Sequence, residues 1–319
     1  MRLWLVWVAF ISLPTYAANL ETPSNLNNWL SHVATATQQL NYDGTYIYQH
    51  GDSVEISHIA HRKDNSGDLT KLDALSGPPH TFVRVNDAVY CYIPDGNQVK
   101  VEQHQHHKFF PAMLPVPTTP LAALYTLKSL GRAHIADHDS FGISLTPHDE
   151  YRYGYAVWAD IGTGLLLKLV KFDARQDVAG QFTFTQVDIG QAPERKQFQS
   201  GFAGKKPVTM PSREAQIKTH WRINKLPDGF YLVMETQRDL PGKLQNVIHQ
   251  VYTDGLATVS LFIEPLAQLG SNPPRGLSSH GMMSLYARPI GSFQVTALGE
   301  VPAVTVMMMA DNLSQEATK

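Results

Sequence analysis

The sequence has one cysteine, Cys91, so no internal disulfide can form and the fold must be held by packing alone. Cys91 lies in the strand-like run Ala88-Val89-Tyr90-Cys91-Tyr92-Ile93 and reads as a small buried hydrophobe. A lipoprotein leader needs a cysteine at its cleavage site, and the only cysteine is Cys91, so no lipid anchor is expected. Charge of either sign is scarce: 26 Lys+Arg face 28 Asp+Glu, a formal net charge of −2. That balance exerts no global pull toward nucleic acid or anionic lipid. No later run is long and apolar enough to cross a bilayer core as a helix. A strand-to-helix serine elbow of the G-x-S-x-G kind is missing. Gly162-Thr163-Gly164 opens no helix, is followed by Leu165-Leu166-Leu167, and reads as a hairpin turn rather than a phosphate loop. Nothing in the chain demands catalysis or a cofactor.

What is present begins with a leader. Arg2 supplies a positive charge, residues 3–13 are almost wholly apolar, Pro14 breaks the run, and Thr15-Tyr16-Ala17 offers small residues before a cut ahead of Ala18. Residues 1–17 are therefore expected to be a cleaved signal peptide. A fraction of 43% hydrophobic residues is ample for packed cores, and 319 residues suit two domains better than one.

The mature chain opens with an expected helix capped by Ser24, with Leu26, Trp29, Leu30, Val33 and Leu40 on one face. Strand-like runs follow, among them 45–48, 54–61, 81–85, 88–93 and 98–103, the last two joined by the turn Pro94-Asp95-Gly96-Asn97. Thr119 is expected to cap a short helix with Pro120 at its first position and Leu121, Leu124, Tyr125 and Leu127 on its apolar side. Strands are expected to resume after Gly131 and to include 151–159, 165–172 and 182–187. The reading is an α+β, β-rich protein in which a curved antiparallel sheet wraps around helices and holds a concave apolar interior. The boundaries are 18–190 for this domain, 191–214 for a polar linker, and 215–319 for a smaller mixed α/β domain. In the latter, strands are expected at 219–223, 230–236, 246–252, 258–263, 282–288 and 293–298, with a loop at 265–279 and a last helix opened by Pro302.

The cluster His104-Gln105-His106-His107 tempts a metal assignment. On a strand, however, His104 and His106 share a face while His107 points away. With no carboxylate or cysteine at ligand spacing it reads as a polar strand end, and no metal ligand is assigned. Tyr151-Arg152-Tyr153-Gly154-Tyr155 alternates, which on a strand would turn the three tyrosines to one side. That pattern fits a packed amphipathic strand or the aromatic wall of a cavity or partner groove.

A further set of stretches resembles a known family. They include Leu40-Asn41-Tyr42-Asp43-Gly44-Thr45, Cys91-Tyr92-Ile93-Pro94-Asp95, Asp149-Glu150-Tyr151-Arg152, Leu226-Pro227-Asp228-Gly229-Phe230, Val251-Tyr252-Thr253-Asp254-Gly255 and Gly299-Glu300-Val301-Pro302. In this order they resemble the RseB/MucB family of periplasmic regulators of the envelope-stress sigma factor. The resemblance implies an N-terminal half-open barrel like the lipoprotein carriers LolA and LolB, followed by a smaller domain. It implies a partner, the periplasmic domain of an RseA/MucA-type membrane anti-sigma factor shielded from proteolysis. It also implies a releasing ligand, lipopolysaccharide or another acylated lipid, and a periplasmic address. No catalytic or metal role comes with it, and a homo-oligomer is left open. The alternative is a periplasmic lipid or lipoprotein carrier. Trp29, Leu30, Tyr151, Tyr153 and Tyr155 are the lipid-cleft candidates, and Arg152 and Arg288 the candidate contacts for anionic groups of ligand or partner. The exported protein is expected to begin at Ala18; an intact-mass measurement on periplasmic material checks this, and a chain retaining Met1 contradicts it.

Overall fold

A computed structural model describes residues 23–95, 97–104, 109–199, 202, 205–209, 215–240, 244–269 and 273–315. The signal peptide read at residues 1–17 and His106 and His107 lie outside them. Helix α1 (Leu26–Gln39) is capped by Asn25, not Ser24, because the Asn25 Oδ1 accepts the Asn28 N–H at 3.0 Å. Leu30, Val33 and Ala34 recur at helical spacing and are buried.

Twelve strands form one sheet: β1 (Tyr42–His50), β2 (Ser53–Asp64), β3 (Gly67–Ala74), β4 (Thr81–Val85), β5 (Ala88–Asp95), β6 (Gln98–His104), β7 (Tyr125–Ile135), β8 (His138–Pro147), β9 (Gly154–Asp160), β10 (Leu166–Phe172), β11 (Val178–Ile189) and β12 (Lys206–Thr209). Their order is β12-β6-β5-β4-β3-β2-β1-β11-β10-β9-β8-β7, so β1 pairs with β11 and two meanders diverge from that central pair. The sheet does not close into a barrel, since β7 and β12 end it on either side. Leu72 and Val89 from one flank, Ile143 and Val157 from the other, and Leu30 and Leu121 from the helices share one core. Both flanks meet the same helices, so the sheet has to curve around α1 and α2 (Thr119–Leu124).

Two boundaries differ from the sequence reading, each for a local reason. Helix α2 stops at Leu124, and Tyr125 already pairs with Pro147 in β7 and is buried. The sheet takes over residues that a helical spacing would also allow. In the other case β9 starts at Gly154, not at residue 151. The Asp149 Oδ1 accepts the Tyr151 N–H at 3.0 Å and draws that backbone into a turn. Residues 191–214 include a 3-10 turn (Arg195–Phe198) and strand β12, which pairs parallel to β6. Arg62 Nη1 donates to Pro193 O at 2.9 Å, and Arg195 Nη2 donates to Asp64 Oδ1 at 2.7 Å. The described residues of this stretch are thus tied to the large sheet.

The remaining strands are β13 (Ala215–Gln216), β14 (Trp221–Ile223), β15 (Tyr231–Leu240), β16 (Leu244–Thr253), β17 (Thr258–Pro265), β18 (Gly276–His280), β19 (Met283–Ile290), β20 (Phe293–Gly299) and β21 (Leu313–Gln315). All but β14 and β21 form a seven-stranded sheet, while β14 and β21 pair with each other. Strand β18 falls where a loop was expected; its residues are all exposed, so it carries no apolar alternation to read. Helix α3 (Ala303–Asp311) places Val306, Met309 and Ala310 against Leu261 and Ala297 of the sheet.

Leu165, Leu166 and Leu167 are all fully buried in the large core. A strand would normally turn alternate residues outward. Here the register slips between Leu166 and Lys168, and the bulge re-aims Leu167. Leu166→Ala is expected to destabilise the protein by about 2–5 kcal/mol in urea unfolding; a loss below about 1 kcal/mol would show that this core can collapse around the cavity.

Candidate functional site

The two sheets meet at Arg152. Its side chain is fully buried, as is that of Asp254. Nε and Nη2 donate to the two carboxylate oxygens of Asp149 at 3.0 and 2.9 Å, a bidentate fork within the large domain. Nη1 donates to Asp254 Oδ2 at 2.9 Å, and Nη2 donates also to Asp228 O at 2.5 Å, both in the smaller domain. The guanidinium lies over Tyr125 (5.9 Å) and Phe230 (5.4 Å), one ring from each side. Asp254 is fixed by its own turn, where Oδ1 accepts the N–H groups of Leu256 (2.9 Å) and Ala257 (2.7 Å). Burial pushes the Asp254 carboxyl up, opposed by the Ala257 N–H and the Arg152 charge. For Arg152, burial alone would favour the neutral form, but Asp149 and Asp254 outweigh it and hold the group charged.

The junction is close-packed around this pair. Thr305 Oγ1 of α3 donates to Tyr151 O at 2.7 Å, the Tyr153 hydroxyl reaches Met282 O at 3.5 Å, and Lys171 pairs with Glu300. Gly229 has a φ of +78°, and a Cβ there would sit 2.6 Å from Leu124 Cδ1. Only glycine meets both demands.

A cleft of about 1100 Å³ opens elsewhere, between the C-terminal end of α1 and strands β1 to β5. Tyr42, Ile59, Val89 and Phe109 give it apolar walls, while Lys63 and Arg84 line it as cations and Asp68 and Asp87 as anions. His61 stacks on Tyr42 at 4.9 Å and bonds Leu40 O through Nδ1 at 2.6 Å and Asp68 Oδ1 through Nε2 at 3.2 Å. Lys63 Nζ donates to the other Asp68 oxygen at 3.3 Å. Burial would raise the Asp68 carboxyl, but His61 and Lys63 bring it below the ordinary range. Arg84 lies 5.3 Å from the centre of the Phe109 ring. The cleft thus joins an apolar interior to a charged lining, a combination that suits amphipathic ligands.

None of the residues expected to line a lipid cleft lines this one. Trp29 packs edge-on against Phe141 at 5.4 Å, and Leu30 is buried under α1. Tyr155 is buried in the core beside Tyr125, and burial pushes its phenol up. Tyr151 and Tyr153 belong to the domain junction, because the turn at Asp149 removes them from the strand. Arg152, expected to meet anions of a ligand or partner, is instead enclosed and satisfied by Asp149 and Asp254. Arg288 is partly exposed and pairs with Asp311 at 2.5 Å. His104 pairs through its backbone with Val89 at the end of β6. Among the described residues no group of three His, Cys, Asp or Glu side chains is placed to hold a metal. Sequence reasoning missed Asp254, Asp68 and His61. The runs Asp149-Glu150-Tyr151-Arg152 and Tyr252-Thr253-Asp254-Gly255 carried a signal, but nothing in them announced that they meet.

These features define a two-domain, β-rich protein with an open sheet, a ligand-sized cleft and a rigidly bonded domain junction. Residues 25–202 match the MucB/RseB N-terminal domain family, and residues 215–314 match the MucB/RseB C-terminal domain family. The chain belongs to the MucB/RseB family. It is 31% identical over 303 residues to the sigma factor AlgU regulatory protein MucB of Pseudomonas aeruginosa, covering 92% of each chain. It is 23% identical over 320 residues to the sigma-E factor regulatory protein RseB of Salmonella typhimurium, covering 100% of this chain and 99% of that protein. The structure resembles MucB from the Pseudomonas aeruginosa MucA/MucB complex with a TM-score of 0.72 at 29% identity, covering 92% of this chain and 99% of that one.

Removing Asp254 leaves the buried Arg152 Nη1 without its acceptor while Asp149 still pairs the guanidinium. Asp254→Ala is therefore expected to lower stability by about 1–3 kcal/mol in chemical denaturation. A loss of under about 1 kcal/mol would mean that water reaches Arg152 and the junction is loose.

Proposed function

We propose that this protein is a periplasmic negative regulator of the envelope stress response. After removal of its signal peptide, it binds the periplasmic domain of a membrane anti-sigma factor of the RseA/MucA type and shields it from regulatory proteolysis. Lipopolysaccharide or another acylated lipid triggers release. The observation that carries this reading is the full-length kinship with MucB, a family member solved in complex with the periplasmic part of MucA. No helix among the described residues is long and apolar enough to cross a membrane, so a membrane-bound partner is a natural tether. The large domain is read as a half-open barrel of the lipoprotein-carrier kind, and its cleft between α1 and β1–β5 as the seat of the lipid.

The physics of such a switch is competition. A ligand displaces the partner only to the extent that it prefers the partner-free state. Acyl chains would lie against Ile59, Val89 and Phe109, and anionic headgroup charge would meet Lys63 and Arg84. The cleft would equally serve a carrier, which would hand lipid to an acceptor without any anti-sigma partner.

The test is direct. The purified protein is expected to bind the periplasmic domain of its cognate anti-sigma factor at micromolar concentration or tighter, to slow its cleavage, and to release it on addition of lipopolysaccharide. Lys63→Glu is expected to leave partner binding intact and to raise the lipid concentration needed for release. Lipid binding without any anti-sigma binding would favour the carrier; binding of neither would defeat both readings.

A further inference from the structure

We propose that the outer edge of β7 is a docking site for an extended, acidic polypeptide segment, which adds to the large sheet as a further strand. Strand β7 runs for 11 residues and ends the twelve-stranded sheet. It pairs with β8 on one side, and among the described residues no backbone bonds to its other side. A strand edge without a partner strand is a template for another strand; at the bulge the Gly131 N–H is already taken by Ser129 Oγ at 3.2 Å. Leu130 lies in the middle of it, 45% exposed. The register slips between Ser129 and Gly131, and Gly131 has a φ of +78°, so the edge divides into the straight runs 125–129 and 131–135. Each is about as long as an average strand.

Charge selects the occupant. The strand contains Lys128 and Arg132 and no acidic residue. Lys128 is exposed and makes no ion pair among the described residues, so it carries the complementarity; Arg132 adds to the sign of the edge and has a partner of its own. In the β8 register Lys128 stands opposite Ser144 and Arg132 opposite Phe141, so the bulge turns the two cations to opposite faces of the edge. A second copy of β7 brings no acidic residue to set opposite Lys128, whereas an acidic peptide makes a favourable pair there.

Lysine and a bulge on an edge strand also serve simply to keep strands away, and the experiment separates that role from docking. The proposal goes beyond the regulatory reading, which names no docking surface. Failure of the peptide experiment leaves anti-sigma binding untouched, and failure of anti-sigma binding leaves the peptide experiment untouched. The probe is a blocked peptide of alternating valine and glutamate, as long as β7, added to the full mature chain. At a peptide concentration about ten times Kd, amide exchange along β7 is expected to slow about tenfold. Lys128→Glu is expected to weaken binding about fivefold and to shift preference to the valine–lysine peptide. Three results would each overturn the proposal: no protection of β7, equal binding of the glutamate and lysine peptides, or self-association of the chain through β7 in ultracentrifugation.

Discussion

A guanidinium removed from water is costly unless its donors are answered, and the junction of this protein is arranged around answering one. Arg152 divides its bonds between Asp149 of its own domain and Asp254 and the Asp228 carbonyl of the other. The planar fork fixes direction as well as distance, which a lysine would not do. Sliding the domains by an ångström or two would break bonds between side chains that are enclosed from solvent. Most two-domain chains are expected to flex at their interface. In this one a buried ion pair, two flanking rings and the close approach of Gly229 to Leu124 oppose that motion.

The rigid junction leaves the rest of the large sheet free to serve as a binding surface. The sheet curves around α1 and α2 but does not close, so it has two ends and a cleft. The cleft lies beyond the C-terminal end of α1, away from Arg152. A ligand entering there need not disturb the domain arrangement, while a partner lying across both domains would meet a preformed surface and pay little to order it.

The elements that local pattern can specify were legible in the sequence. The face of α1 follows from the spacing of Leu26, Leu30 and Val33, and the β5–β6 hairpin follows from Pro94-Asp95-Gly96. The site was much less so. Tyr151-Arg152-Tyr153-Gly154-Tyr155 alternates as a strand should, yet the Asp149 side chain bends it out of the ladder. Nor does any local rule show that Arg152 will be buried, because its partner Asp254 is 102 residues away. The cleft residues Tyr42, His61, Asp68 and Arg84 come from four separate strands or their ends, and only the register of the folded sheet brings them together. Their family resemblance marked some of these runs without saying what they touch.

Arg152 and Asp254 hold the two domains as one body. Cys91 is buried, so cysteines introduced at the exposed positions Asp188 and Thr258 can be spin-labelled selectively. Electron–electron resonance between those labels should give one narrow distance in the native chain and a broad distribution when Asp254→Asn is added. A distribution equally narrow in the variant would contradict the account and assign the rigidity to the surrounding packing.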